Sequence, residues 1–300
     1  MPGLLHTVEE NTIPGLRLDR YVSERLRLLS RSQIKARCLS AKINGKPVKL
    51  SRIVKRGDIL ELSWDEEPSR YIVPQDIPLN IVYEDERCVV VNKAQGMVVH
   101  PGAGNRQGTL ANALYFRRLK KNESQAAGLR PGIVHRLDKE TSGLIIAAYD
   151  DEAHAFLAQQ FKDRKVIKKY AAIIHGTPKE KEGRIETFIA RDPRDRKRFA
   201  VSNAGKNAVT FYKVIKDLQN YSLVMLRPRT GRTHQLRVHL RHIGHPILGD
   251  PVYGYADKNF PGATLMLHSK TLAIIPPGET ERRIFSSVLP ERFKEIIAKL

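Results

Sequence analysis

The sequence has 300 residues and a formal net charge of +20 at pH 7, from 52 Lys and Arg against 32 Asp and Glu. This length favours one large domain with a small appendage, and so large a positive charge indicates a polyanionic partner, foremost nucleic acid. We find no apolar run of about 18 residues, no secretory signal and no lipidation motif, so we expect no membrane partner and a cytoplasmic location.

Two short helices and a hairpin are the first predicted elements. Residues 18–29 have helical character, and Ser30 begins a second helix with Gln33 three positions on, as in a capping box. Asn44-Gly45 then separates two extended runs, which is a strong hairpin signal because both turn positions favour positive φ. A strand follows over residues 59–64.

These amino-terminal elements are strongly basic. Residues 17–56 contain 13 Lys and Arg but only two acidic residues, a net charge of +11. Charge so concentrated favours contacts with nucleic-acid phosphates, although a merely solvated basic face is the alternative. The candidate phosphate contacts are Arg27, Arg31, Lys35, Lys42 and Lys46.

A change in composition predicts the domain boundaries. Acidic residues and proline are frequent in residues 65–75, a composition that disfavours both helix and sheet. We predict a small domain over residues 1–64 with its core at about 16–64, a semi-rigid linker over 65–79, and a larger domain over 80–300. The two cysteines, Cys38 and Cys88, fall in different predicted domains, so we expect them to be reduced.

The larger domain is predicted to be α+β. Helices are expected from Thr109 to Leu119, over 151–164, and from Thr233 to Gly244. Strands are expected at 81–83, 89–91, 133–134, 144–148, 168–175, 184–190, 208–215 and 221–226. Because strands outnumber helices and few β-α-β units can be drawn, we expect a central, mainly antiparallel (mixed) sheet.

Two loops of this domain are polar. Residues 120–128 predict a mobile loop to which the sequence assigns no role. Residues 191–198 contain five Lys and Arg and could clamp an RNA backbone, with a disordered, solvated loop as the alternative.

A third polar loop follows the short apolar run at 133–134 and carries Arg136 and Asp138. Catalytic groups tend to lie on loops that strands position, and Gly143 permits a sharp turn of the backbone here. The alternative is a surface hairpin on which Arg136 and Asp138 form an exposed ion pair of little value.

Two long motifs carry a family resemblance. Residues 135–143 read His-Arg-Leu-Asp-Lys-Glu-Thr-Ser-Gly, and residues 230–239 read Thr-Gly-Arg-Thr-His-Gln-Leu-Arg-Val-His. This pair resembles the signature of the RluA-type pseudouridine synthases, and the likeness continues through residues 91–93, 98–104, 169–170 and 249–254. One departure is Ala94, which stands where the family usually has proline.

The resemblance also suggests a substrate and an appended domain. Residues 100–104, His-Pro-Gly-Ala-Gly, are most similar to family members that modify large-subunit ribosomal RNA. The order of elements over 17–64 resembles the S4 RNA-binding domain, which is α/β. We therefore expect a monomeric enzyme whose partner is ribosomal RNA, either free or within pre-ribosomal particles. Transfer RNA is the alternative substrate.

The implied reaction is the isomerisation of uridine to pseudouridine. The N1–C1′ bond breaks, the uracil turns, and C5 joins C1′, with no net redox change. We therefore expect no cofactor, in agreement with the lack of Walker, dinucleotide-binding and Cys-x-x-Cys motifs. The reaction requires a carboxylate as nucleophile or base, and the resemblance gives that role to Asp138.

The resemblance supplies the remaining site residues. Arg237 is the expected charge partner of Asp138, and Tyr170 is expected against the flipped uracil, where stacking contributes ~1–3 kcal/mol per base. Together with Asp138 they form the expected catalytic set. Arg136 would fill the gap that the flipped base leaves in the RNA. The further expected substrate contacts are Thr141, Arg232 and His234.

Two other functions are compatible with parts of the sequence. A non-catalytic RNA-binding protein of S4 type would explain the basic amino terminus. A metal-dependent nuclease would use the histidines clustered in sequence, but these lack a carboxylate at ligand spacing and match no zinc signature, so we expect no metal. These histidines are His234, His239, His242 and His245.

Overall fold

The structure is a computed structural model that describes residues 3–9, 15–36, 38–65, 72–102, 104–121, 132–195 and 198–300. The chain divides into two compact units, Met1–Tyr71 and Ile72–Leu300. The boundary between them falls inside the predicted linker 65–79.

The carboxyl-terminal part of that linker is bound to the second unit. The Asn112 side-chain amide donates a hydrogen bond to the Val73 carbonyl at 2.7 Å. The Gly108 amide donates to Gln75 Oε1, also at 2.7 Å. The chain from Ile72 onward is therefore part of the second unit and not a free connection.

The first unit contains a four-stranded antiparallel sheet. Its strands are β1 (Gly3–Thr7), β2 (Ser40–Ile43), β3 (Lys46–Pro47) and β4 (Ile59–Ser63), in the order β1-β4-β2-β3. The predicted β2–β3 hairpin is confirmed, with positive φ of 50° at Asn44 and 77° at Gly45. The sequence did not predict β1, which has no buried residue and is defined by its pairing with β4.

Two short helical segments accompany this sheet. The first is α1 (Leu18–Arg20), which continues as a π-helix over Tyr21–Arg25, and the second is α2 (Arg31–Ala36). The first predicted helix was drawn too long, because Arg27 adopts a positive φ of 49° that a right-handed helix excludes. The capping box before α2 is confirmed: the Ser30 amide donates to Gln33 Oε1 at 2.8 Å, and the Gln33 amide donates to Ser30 Oγ at 3.3 Å.

The second unit contains a ten-stranded sheet. Its strands are β5 (Ile81–Glu84), β6 (Cys88–Lys93), β7 (Ser142–Ala148), β8 (Ile167–His175), β9 (Glu182–Arg191), β10 (Phe199–Val201), β11 (Lys206–Leu218), β12 (Tyr221–Pro228), β13 (Leu267–Ile274) and β14 (Arg283–Ser286). The order is β10-β9-β11-β12-β8-β13-β7-β6-β5, and β14 pairs with β13. Strands β7 and β13 run parallel, whereas every other pairing recorded among the described strands is antiparallel. The predicted α+β class with a mainly antiparallel, mixed sheet is confirmed.

Some predicted details of this unit were wrong or lie outside the description. Residues 133–134 form no strand, since Ile133 makes only an isolated bridge with Ala147. Most of the predicted loop 120–128 lies outside the described residues. The loop 191–198, described except for residues 196 and 197, connects β9 to β10, and the Arg198 amide donates to the Asp195 carbonyl at 2.9 Å.

Four helices are described in this unit: α3 (Leu110–Lys121), α4 (Asp151–Lys162), α5 (Gln235–His242) and α6 (Glu291–Lys299). Helix α4 is capped by the Asp150 carboxylate, which accepts from the Ala153 amide at 2.7 Å. Helix α5 begins later than predicted because His234 is left-handed, with φ of 55°. Among the described residues, no helix has the length and apolar character that crossing a membrane requires.

Strand β7 lies in the interior of the sheet with both faces covered. All seven of its residues are buried. Ile145 and Ala147 pack into one apolar cluster, and Leu144 and Ile146 pack into another. Because neither face meets solvent, the strand is a continuous apolar run without alternation. The loop that carries Asp138 leads directly into this rigid strand.

Candidate active site

The loop that carries Asp138 is attached to β7 by a buried histidine. His135 Nε2 accepts a hydrogen bond from the Ile146 amide at 3.1 Å, and its ring stacks on Phe161 with 4.6 Å between centroids. Burial, and secondarily the charge of Lys168, lowers the pKa of His135 to about 3. The ring is therefore neutral at physiological pH, which leaves Nε2 free to accept.

The other side of the loop is fixed by a glycine and a buried lysine. Gly143 has a φ of 112°, and a Cβ at this position would lie 2.3 Å from the Ser269 carbonyl oxygen, so β13 approaches here only because residue 143 is glycine. Lys93 is 1% exposed, and its ammonium donates to the Lys139 carbonyl at 3.2 Å, next to Asp138. It also donates at 2.8 Å to the carbonyls of Ala94 and Met97.

Arg237 bridges two carboxylates from distant parts of the sequence. Its Nε and Nη2 each donate to one oxygen of Asp250 at 2.7 Å, a bidentate pair in which the Asp250 side chain is fully buried. Its Nη1 lies 3.4 Å from Asp138 Oδ2. Burial alone would raise the pKa of Asp250, but the hydrogen bonds and charge of Arg237 lower it below its ordinary value. Asp250 thus holds the guanidinium with its third nitrogen directed at Asp138.

His234 approaches the same oxygen of Asp138 from the start of α5. Its Nε2 lies 3.8 Å from Asp138 Oδ2, and its Nδ1 lies 2.9 Å from the Tyr253 hydroxyl. That hydroxyl accepts from the Phe199 amide at 2.8 Å, so its own hydrogen is available to Nδ1. Burial lowers the pKa of His234, although the Asp138 charge opposes this effect. A neutral ring with hydrogen on Nε2, facing Asp138, satisfies all these contacts.

Gln235 holds the preceding loop in place. Its Oε1 accepts from the Thr230 hydroxyl at 2.7 Å and from the Arg232 amide at 3.0 Å. Its Nε2 donates to the Val209 carbonyl at 3.0 Å and to Thr210 Oγ1 at 2.9 Å, both on β11. The Gln235 side chain therefore connects residues 230–235 to β11 of the sheet.

Tyr170 lies near the beginning of β8, 8% exposed, and faces the same space. Burial raises the pKa of Tyr170 to about 12, and the nearby charge of Asp138 adds to this increase, while a hydrogen bond with Ser269 opposes it. The phenol is therefore un-ionised at neutral pH and offers an aromatic face without a second negative charge.

One cavity of about 110 Å³ connects these side chains. Every residue that the sequence predicted as catalytic or substrate-binding lines it: Arg136, Asp138, Thr141, Tyr170, Arg232, His234 and Arg237. Lys168 also lines it, and burial lowers the pKa of its ammonium below the ordinary lysine value. Asp138 and Arg237 are thus neighbours in space although they are 99 positions apart in the sequence.

Residues of this site that were missed in the sequence include Lys168, Asp250 and Tyr253. Lys168 carries no motif of its own. Asp250 and Tyr253 fall within the segment 249–254 that resembles the family, and this segment was the available signal, but its pattern assigns neither residue a role. Their function depends on contacts with Arg237 and His234 that no local pattern encodes.

The candidate phosphate contacts of the first unit are described separately. Arg27, Arg31, Lys42 and Lys46 are exposed. Lys42 lies 3.5 Å from Glu61 across the β2–β4 pairing, and Arg31 lies 4.0 Å from Asp19. The side chain of Lys35 lies outside the described part of the structure.

Histidines of the run make separate hydrogen bonds within the second unit. His239 is buried between Thr210, at 2.9 Å from Nδ1, and Thr187, at 3.1 Å from Nε2. His245 Nδ1 donates to the His175 carbonyl at 2.9 Å, on another part of the unit. Among the residues that the structure describes, no group of three His, Cys, Asp or Glu side chains is arranged to hold a metal ion.

Known proteins resemble the chain closely. Residues 87–242 match the family described as RNA pseudouridylate synthase. The ribosomal large subunit pseudouridine synthase D of Borreliella burgdorferi is 45% identical over 296 residues, which are 96% of this chain and 89% of that protein. The protein of the same description from Zymomonas mobilis is 40% identical and covers 97% of this chain and 95% of its own length. Among solved structures, human RNA Pseudouridylate Synthase Domain Containing 4 has a TM-score of 0.60 and 27% identity, covering 73% of this chain and 92% of that one.

The family match and these relatives define the class of the protein, an enzyme that modifies RNA, and its fold is α+β. The chain belongs to the RNA pseudouridylate synthase family, in its RluA-type branch. It is an isomerase that converts uridine in RNA to pseudouridine.

Proposed function

We propose that Asp138 is the carboxylate that acts on the target uridine, as nucleophile or as base. The observation that supports this role is the position of its Oδ2, which lies 3.4 Å from Arg237 and 3.8 Å from His234 at the wall of the cavity. Arg237 supplies a fixed positive charge, since its guanidinium stays protonated. His234 supplies a neutral donor. Charge that develops on the carboxylate or the substrate is therefore met by groups already in place.

The target uridine must leave the RNA stack to reach this cavity, at a cost of a few kcal/mol. Tyr170 offers an aromatic face to the flipped uracil, and Arg136 occupies the gap that the base leaves. Thr141, Arg232 and His234 complete the contacts to the nucleotide. The cavity supports this assignment because these side chains line it together.

The proposed substrate is large-subunit ribosomal RNA, on which the two relatives described above act by their printed names. Their similarity covers nearly the whole chain, including the amino-terminal unit. Transfer RNA is the alternative, and pseudouridine mapping distinguishes the two. Monomeric state, action on pre-ribosomal particles and cytoplasmic location stay predictions of the sequence.

The amino-terminal unit is the proposed RNA clamp of the enzyme, with an S4-like role. Its net charge of +11 over residues 17–56 exceeds half of the charge of the whole chain. Four candidate contacts on it are exposed, as phosphate binding requires: Arg27, Arg31, Lys42 and Lys46.

Asp138→Asn tests the catalytic proposal. The amide keeps the shape of the side chain and loses its negative charge, so isomerisation of a large-subunit ribosomal RNA transcript should fall to below about 1% of wild type. RNA affinity should change little. Asp76→Asn is the matched control, because Asp76 is a 73% exposed aspartate of the same unit and lies outside the cavity. Pseudouridine formation by Asp138→Asn at the wild-type rate would refute the assignment.

A further inference from the structure

A second cavity lies at the opposite end of β8 from the candidate active site. His175 ends β8 and pairs in register with Tyr221, the first residue of β12. His175 lies five positions after Tyr170, which corresponds to roughly 17 Å along the strand. The cavity holds about 540 Å³ and is open to solvent, and its walls also include Asn220, His245, Tyr255 and Lys258. None of these side chains was assigned to the reaction.

An exposed aromatic ring forms one wall of this cavity. Tyr255 is 55% exposed, although large aromatic side chains usually bury more of their surface. Its ring lies on the buried His175 ring, with 4.3 Å between centroids and 34° between planes. His175 in turn contacts the Tyr221 ring at 5.6 Å. The Tyr255 ring therefore packs on the His175 ring, while its exposed surface is available for a flat partner to stack on.

A buried polar atom lies beneath this ring. His175 is 7% exposed, and its Nε2 has no hydrogen-bond partner among the described residues. Its Nδ1 faces Asp257 Oδ2 at 3.5 Å, so a neutral ring carries its hydrogen there and leaves Nε2 as an acceptor. Burial lowers the pKa of His175, with the Asp257 charge acting in the opposite direction. That nitrogen is itself enclosed by protein, so a ligand in the cavity would be sensed by the His175 ring through the Tyr255 ring stacked on it, and not bound by Nε2.

The frame around His175 is held by hydrogen bonds. The Tyr221 hydroxyl donates to Asp257 Oδ2 at 2.7 Å, and the Asn259 side-chain amide donates to that hydroxyl at 3.2 Å. The Asp257 Oδ1 accepts the amides of Asn259 and Phe260, each at 2.8 Å. The ligand would thus meet a preformed site, which lowers the entropy cost of binding.

The chemistry of the cavity matches an unpaired nucleotide. Single-stranded RNA is recognised by stacking of unstacked bases on aromatic rings together with hydrogen bonds to their edges. Tyr255 offers the ring, and the exposed Lys258 offers a cation for phosphate. The substrate of the enzyme supplies such nucleotides, and the chain's charge of +20 attracts them.

We propose that this cavity binds one unpaired nucleotide of the RNA substrate, away from the uridine that is modified. The base stacks on Tyr255, and Lys258 contacts the phosphate. The site rests on RNA being the substrate, which family membership establishes, and does not depend on the catalytic role of Asp138. It adds affinity and selects RNA that has an unpaired nucleotide at the matching distance from the target.

Binding of an RNA fragment by variants of Tyr255 tests the proposal. Fluorescence anisotropy at fixed salt should show affinity reduced roughly 5- to 150-fold for Tyr255→Ala, as expected when one base no longer stacks, and nearly retained for Tyr255→Phe. Phe156→Ala is the matched control, because Phe156 is a 40% exposed aromatic residue on α4, outside both cavities, and its removal should leave affinity unchanged. Wild-type affinity in Tyr255→Ala would overturn the proposal.

Direct occupancy is read from the His175 ring. Adenosine and cytidine 5′-monophosphates, titrated into the full chain, should shift the His175 ring ¹⁵N signals in nuclear magnetic resonance spectra, and Tyr255→Ala should abolish the shift. Unchanged signals at saturating nucleotide would overturn the site. A shift caused instead by a short peptide, with none from nucleotides, would also overturn it and identify a protein-binding cavity. Failure of Asp138→Asn to lose activity would leave both readouts unaffected, so the two proposals fail separately.

Discussion

Replacing Asp250 by asparagine tests how Arg237 is held beside Asp138. The Asp250 side chain is fully buried and that of Arg237 is 4% exposed, so neither charge is compensated by water. Asparagine keeps an oxygen for the amides of Val252 and Tyr253, which Asp250 Oδ1 accepts at 2.9 and 3.0 Å. The substitution therefore removes the charge while keeping most of the local hydrogen bonds.

The expected decrease in stability is large. Breaking a buried ion pair from one side typically costs about 3–5 kcal/mol, because the remaining charge stays buried without its partner. Arg237 retains one carboxylate, since its Nη1 lies 3.4 Å from Asp138, so we expect the lower limit of about 3 kcal/mol. Asp138 then becomes the principal partner of the guanidinium. We expect turnover to fall, because an activation barrier raised by only ~1.4 kcal/mol slows it tenfold.

Chemical denaturation and single-turnover kinetics measure the two effects. Because Arg237 lowers the pKa of Asp250 in the folded state, this pair stabilises the protein above the ordinary aspartate pKa of about 3.9, and the contribution is lost as pH falls through the lower folded value. Asp250→Asn should therefore be less stable at neutral pH and show a smaller further decrease on the acid side. Asp217→Asn, at a half-exposed aspartate, is the control. Wild-type stability together with wild-type turnover in Asp250→Asn would refute the reasoning.

Three further predictions concern other parts of the chain. Tyr170→Phe should keep the stacking face and most of the turnover, whereas Tyr170→Ala should be nearly inactive in single-turnover assays; equal inactivity of both would assign the hydroxyl a chemical role. A chain that begins at Ile72 should bind RNA with a weaker salt dependence. The slope of log binding constant against log salt concentration should decrease by about 0.9 for each duplex phosphate that the protein no longer neutralises. An unchanged slope would mean that the amino-terminal unit is not the clamp. Burial lowers the pKa of Lys93 to about 8. Between about pH 8 and pH 10 only the unfolded state therefore binds the extra proton, so the unfolding free energy of the wild type should rise with pH relative to that of Lys93→Met. A difference that does not vary with pH would contradict this assignment.

Local patterns predicted those elements whose signal lies within a few residues. The capping box at Ser30, the Asn44-Gly45 hairpin and the apolar run of β7 each depend on neighbours in sequence, and each is present. By contrast, β1 and β13 were not predicted. Strand β1 has no buried residue and exists through its pairing with β4, and β13 is defined by long-range pairings on both sides, including the parallel one to β7. Such pairings leave no periodic signal in the strand itself.

The candidate site shows the same division between local and distant information. The motifs contain Asp138 and Arg237, but their proximity depends on two further contacts. Gly143 must allow the close approach of β13, and Asp250 must bind Arg237. Both contacts join segments that are separated in the sequence. The charge state of the site is likewise a property of burial: His135 and Tyr170 are neutral at physiological pH because both are enclosed, whereas Arg237 is a buried cation in contact with Asp138. A sequence contains the identities of these groups, whereas the protonation states that their chemistry requires come from packing.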